Sequence, residues 1–139
     1  MTQMARPAHP WLAQIIESRQ VSALIEHLKL AKRVTARGSR GSSSTIVAAA
    51  LALQMRRPVL LVLAHLDEVD DALDDLDLLG SAGHELDIER FGALEVLPGE
   101  SGVNLELLAE RLNLVNRLIG HSCPQLIVAP IQALMQSVP

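Results

Sequence analysis

The stretch Arg37-Gly38-Ser39-Arg40-Gly41-Ser42-Ser43-Ser44-Thr45 is the part of the sequence best suited to hold a phosphate. Glycines let backbone amides approach an anion, and hydroxyls at the start of a helix add donors. The nucleotide-binding form of this pattern is G-x-x-x-x-G-K-[ST]. Its lysine neutralises the β- and γ-phosphates and its hydroxyl binds Mg²⁺. With Gly41 as the second glycine, Ala36 stands at the first-glycine position. Ser42 then stands at the lysine position and Ser43 at the Ser/Thr position. Arg40 lies two residues ahead of the lysine position and is a poor geometric substitute. The expectation is a vestigial phosphate loop of Gly38, Gly41, Ser42 and Ser43, acting as a plain strand-to-helix turn. The alternative is a nucleotide switch that holds ATP through Gly41, Ser42 and Ser43. An acid for Mg²⁺ would follow an apolar strand. Ala64-His65-Leu66-Asp67 follows Leu63, and Ala129-Pro130 follows Val128, so neither strand tip offers one.

Other reactive side chains are scattered. Cys123 is the single cysteine, which excludes an internal disulfide and a multi-cysteine zinc site. His65, His84 and His121 lie in different segments, and nothing in the sequence places a base beside the thiol. His65 falls at a strand C-terminus, where α/β folds bind ligands, but a local packing role explains it as well. Seven acids crowd residues 67–77, without the glycine and glutamate order of a calcium loop. They predict a solvated helix face or a surface for a basic partner. No catalytic residue, metal or resident cofactor is expected.

Charge is uneven along the chain. Residues 1–57 carry nine Lys/Arg and two acids, whereas residues 58–139 carry three Arg and fourteen acids. The acidic half argues against a nucleic-acid groove across the whole surface. A basic arm of Arg33, Arg37, Arg40, Arg56 and Arg57 remains a weaker DNA-binding alternative. The 139 residues suffice for one domain, and 49% hydrophobic content with mean hydropathy +0.26 excludes a disordered chain. One Phe, one Trp and no Tyr argue against base-stacking readers of nucleic acid. No apolar run is long enough for a membrane span, and residues 1–10 lack a signal peptide's apolar core. A cytoplasmic protein is expected.

The elements that would position these residues alternate. A loose arm precedes one broken or two short amphipathic helices from Trp11 to about Ala31. Val34–Ala36 is a short strand candidate ahead of the glycine loop, and Ile46–Met55 is a helix. Val59–Leu63 has no polar alternation and predicts a strand buried on both faces. Asp67–Leu79 is a helix with an inward stripe of Val69, Leu73, Leu76 and Leu79. Ala93–Leu97 is a third strand candidate. Asn104 caps a helix to Ile119 with Leu105, Leu108, Leu112, Val115 and Ile119 inward. Leu126–Ala129 is a fourth strand, and Pro130 opens a short helix over Ile131–Met135. The order predicts an α/β domain of three layers with a mostly parallel sheet. Residues 1–33 form the arm and first helices, and residues 34–139 the α/β domain.

Several pieces together resemble a known family. They are the glycine/serine loop, Arg57-Pro58-Val59-Leu60-Leu61-Val62-Leu63-Ala64-His65, Leu94-Glu95-Val96-Leu97-Pro98-Gly99-Glu100, Ala109-Glu110-Arg111-Leu112 and Val128-Ala129-Pro130-Ile131-Gln132-Ala133-Leu134-Met135-Gln136. Their order is similar to the N-terminal region of bacterial transcription-repair coupling factors (Mfd). Leu61–His65 is also similar to the excinuclease protein UvrB. The resemblance covers roughly residues 20–139. It implies a partial, degenerate RecA-like (P-loop-type) module with no ATPase activity of its own. ATP and Mg²⁺ would belong to a motor elsewhere in the parent translocase. It implies scaffolding and autoinhibition, with the excinuclease protein UvrA bound through an adjoining domain. RNA polymerase and DNA would be met only through the parent protein. No UvrA-contacting residue carries over to this sequence.

Overall fold

A computed structural model describes residues 14–81, 85–94, 102 and 104–136. Its elements are α1 (Arg19–Leu30), α2 (Ser42–Met55), β1 (Val59–Leu63), α3 (Leu66–Ser81), β2 (Ile88–Arg90), α4 (Leu105–Ile119), β3 (Leu126–Pro130) and α5 (Ile131–Met135). The three strands form a parallel sheet in the order β1-β3-β2. The chain therefore crosses from β1 past the β3 position to β2, then returns to β3. Right-handed crossovers in opposite directions place their helices on opposite faces of a sheet. Accordingly, α3 packs on one face and α4 on the other. The fold is the expected three-layer α/β arrangement, consistent with a partial RecA-like module.

The first face holds the larger core. Val69, Ala72, Leu76 and Leu79 of α3 meet Ala48, Ala49 and Ala52 of α2 over Leu126 and Val128 of β3. The sequence stripe of α3 thus faces inward as expected. The alanines of α2 do more than favour helix. Ala50 is buried on the opposite side, against Val21 and Ile25 of α1. A helix covered on both sides needs apolar residues all round, and small ones let its neighbours approach. Before α1, residues 14–16 are helical and the chain breaks at Glu17-Ser18, so two short helices stand where one broken helix was the other option. Ser18 caps α1 by accepting from Val21 N.

Four expectations need correction. Val34–Ala36 is not a strand; residues 34–40 carry no regular structure. Exposed Lys32, Arg33, Arg37 and Arg40 keep that segment at the surface. The third strand is Ile88–Arg90 rather than Ala93–Leu97. Phe91 N still donates to Val128 O, but Phe91 and Ala93 then turn into the core beneath α4. Residues 95–97 lie outside the described residues. β1, an edge strand among the described residues, is not buried on both faces, because no described helix covers its second face. Val59, Leu61 and Leu63 face α2 and α3, while Leu60 and Val62 are exposed on the other face. Finally, α4 is rotated from its expected orientation. Its buried residues are Arg111 and Leu114, and Leu105, Leu112 and Ile119 point outward.

Candidate functional site

Three segments meet at the sheet face beneath α4. Arg111 is only 1% exposed, at the centre of the buried side of α4. Its Nη1 donates to Gly92 O at 2.8 Å and to Ala133 O at 3.3 Å. Its Nη2 donates to Ala133 O and Gln136 O, both at 3.3 Å. The guanidinium carbon lies 4.2 Å from the centre of the Phe91 ring, a cation–π contact. Nε has no partner among the described residues. Burial pulls the guanidinium below its ordinary pKa, yet arginine stays charged in proteins. No acid among the described residues answers this charge. Carbonyls do, and those of Ala133 and Gln136 sit at the C-terminal end of α5, where a helix carries partial negative charge.

Gln136 completes the arrangement. Its Oε1 accepts from Leu94 N at 2.7 Å and its Nε2 donates to Leu94 O at 2.9 Å. The side-chain amide thus pairs with the backbone of Leu94 much as a neighbouring strand would. Leu94, Arg111 and Gln136 come from the three separate segments singled out above as Leu94–Glu100, Ala109–Leu112 and Val128–Gln136. The fold brings all three to one point. Sequence reasoning missed the roles of Arg111 and Gln136, because a lone arginine on a helix ordinarily signals solvent.

The glycine/serine loop is built differently from a nucleotide cradle. Gly41 caps α2 at φ 53° and ψ −135°, and Gly38 has φ 97°. Both conformations favour glycine. The hydroxyls of Ser39, Ser43 and Ser44 are engaged with the loop itself. Ser39 Oγ lies 3.0 Å from Ser43 Oγ and 2.6 Å from Ser44 Oγ. Ser43 Oγ accepts from Arg40 N at 2.8 Å and donates to Arg40 O at 2.6 Å. With no strand at residues 34–36, the strand–loop–helix setting is absent.

The space before the loop is acidic. A cleft of about 380 Å³ is lined by Gly41, Ser42, Ser44, Thr45, Leu63 and by Glu68, Asp71, Asp74 and Asp75 of α3. No cation among the described residues lines it. A cleft walled by one sign of charge concentrates that field and repels an anion. Glu68 is also committed locally, accepting from Ala64 N at 3.0 Å and His65 N at 3.1 Å. Calorimetry with millimolar MgATP or MgADP is expected to show no saturable heat. Saturable binding abolished by Gly41→Val would reverse that expectation.

The other candidates stay apart. His65 is exposed at the C-terminal end of β1, whereas half-buried Cys123 precedes the N-terminal end of β3. The parallel strands separate these ends by about 16 Å. His121 is exposed, and His84 lies outside the described residues. Cys123 lines a second cleft of about 250 Å³ with Arg56, Arg57 and Pro124. Among the described residues, no group of three or more His, Cys, Asp or Glu side chains is placed to hold a metal ion. The arginines of the proposed basic arm divide between the two ends of α2. Arg33, Arg37 and Arg40 precede it, and Arg56 and Arg57 follow it. Fourteen residues of helix set the two groups about 21 Å apart along its axis. Arg117 is held elsewhere, by Asp87 and Glu89 beside β2; its hydrogen bond to Asp87 is the main cause raising its pKa.

Comparison with known proteins yields a relative that agrees with the motifs. The chain is similar to a transcription-repair-coupling factor. The match, to the protein of Bacillus subtilis (strain 168), is 29% identical over 103 residues. It takes in 73% of this chain and spans 8% of that relative's length. No family model matches, and no solved structure matches. Among the described residues, no helix is long and apolar enough to cross a membrane.

Proposed function

We propose that this chain is a non-catalytic interaction and scaffold module of a transcription-repair coupling factor, acting in transcription-coupled nucleotide excision repair. The observation that carries the reading is the convergence of Leu94, Arg111 and Gln136 on one clasp. Three of the five motif pieces that resemble the coupling factors are tied together by this clasp. A structural role rather than a catalytic one accounts for the likeness of those three pieces to the family. The acidic cleft before the glycine/serine loop supports the absence of nucleotide chemistry in this module. It counts against the switch reading, in which Gly41, Ser42 and Ser43 would hold ATP.

In this reading the module resembles the first RecA-like domain of UvrB with its nucleotide site lost. It supports an adjoining domain that recruits UvrA, and it helps hold the parent translocase in a repressed state. ATP hydrolysis, DNA and RNA polymerase belong to other parts of that protein. The test is capture of UvrA. A polypeptide carrying this module and the adjoining domain is expected to retain UvrA, and one lacking residues 1–139 to lose it. Equal capture by both, or by neither, would sink the proposal.

A further inference from the structure

The acidic cleft before the glycine/serine loop does more than repel anions. Its carboxylates, on Glu68, Asp71, Asp74 and Asp75, come from one side of α3, and Asp67 continues that side a turn earlier. Helix α3 has no lysine or arginine of its own. Acids three and four residues apart repel along a helix, so this pattern weakens α3 until a cation meets it. Among the described residues, Arg90 on Asp70 is the one ion pair that reaches α3, and it serves none of the four acids of the cleft. The opposite wall adds an independent sign. Thr45, in the first turn of α2, lines the cleft and is only 4% exposed. Its hydroxyl has no hydrogen-bond partner among the described residues, whereas those of Ser43 and Ser44 are satisfied by the loop. Arg111 Nε is the one unpartnered side-chain polar atom there that is sealed from solvent. The Thr45 hydroxyl is therefore not sealed, and what remains accessible of this buried residue opens on the cleft. Buried hydroxyls are ordinarily satisfied, so this one is an acceptor waiting for a donor.

Size and donor set choose the ligand. The cleft's volume of about 380 Å³ lies in the range of organic-ligand sites, about 300–1,000 Å³, and far exceeds the roughly 30 Å³ of one water. Among the described residues, no three carboxylates are placed to close on a metal ion. Acceptors spread round an open volume suit a cation that carries several N–H donors. We infer that the cleft receives an arginine side chain of a basic peptide segment. A guanidinium has five donors in a planar fork, matched to carboxylates two at a time, with one to spare for Thr45 Oγ1. Asp67 lies outside the cleft on the same side of α3, exposed and without an ion pair. It offers the next basic residue of the segment a partner, which a small free cation would leave unused.

Fluorescence anisotropy of a fluorescein-labelled tetra-arginine peptide, titrated with the 139-residue chain in about 0.15 M NaCl, tests this. Saturable binding is expected. Asp71→Asn combined with Asp75→Asn should weaken it about tenfold, since each exposed ion pair is worth a severalfold change. Glu106→Gln combined with Glu110→Gln removes the same charge from α4, on the other face of the sheet and beyond the roughly 8 Å screening length. That pair should change binding less than about twofold. Thr45→Val keeps the shape of the side chain and takes away only the hydroxyl. It should weaken binding about tenfold with an unchanged far-ultraviolet circular dichroism spectrum. Thr45→Ser, which keeps the hydroxyl, should bind like the parent chain. Absence of saturable binding overturns the inference. So do equal losses for the α3 and α4 pairs, or full binding by Thr45→Val. Displacement by MgCl₂ far beyond that by NaCl at equal ionic strength also overturns it, because it would mark a divalent-cation site.

Discussion

Replacing Arg111 with alanine is expected to lower the unfolding free energy by about 3–5 kcal/mol. The change empties most of a fully buried side chain's volume, and it leaves the carbonyls of Gly92, Ala133 and Gln136 without their charged donor. A domain's total stability is about 5–15 kcal/mol, so this loss would be a large part of it. Arg111→Met separates the two contributions. It keeps much of the volume and removes only the donors, so its cost should fall to about 1–3 kcal/mol. Arg111→Lys should recover little of the loss, because one ammonium cannot match the planar fork that reaches three carbonyls. Arg117→Ala, which removes exposed ion pairs, should have a much smaller effect. Urea titration at constant slope measures all four. An Arg111→Ala loss no greater than that of Arg117→Ala would mean the clasp does not hold the sheet face together.

Arg111 also shows why part of this structure is legible in the sequence and part is not. Element order, the parallel sheet and the inward stripe of α3 follow from local pattern, because apolar periodicity and capping residues are local signals. Ser18, Asn104 and the Gly41 turn sit where helix starts are readable. The clasp depends on meetings between residues 94, 111 and 136, and no local pattern announces those. Strand burial fails for a similar reason. The run Val59–Leu63 is apolar throughout, but whether both faces are covered depends on its place in the sheet. Here α2 and α3 cover one face, and no described helix covers the other. That the phosphate loop lacks its lysine is plain from Ser42 alone. What the sequence conceals is the neighbour: the acids of α3 read as a solvated face, and four of them wall the cleft.

The second large effect separates two leucines that the sequence treats alike. Leu76 of α3 and Leu105 of α4 both belong to apolar stripes read as core. In the fold, Leu76 is buried among Ala49, Val69, Leu126 and Val128, whereas Leu105 is exposed. Leu76→Ala removes three heavy atoms from a site closed by two helices and a strand buried along its whole length. Such surroundings collapse poorly into a cavity, so the expected cost is about 2–5 kcal/mol. Leu105→Ala leaves no cavity and should change stability by no more than about 0.5 kcal/mol. Equal costs for the two variants would restore the orientation of α4 read from the sequence.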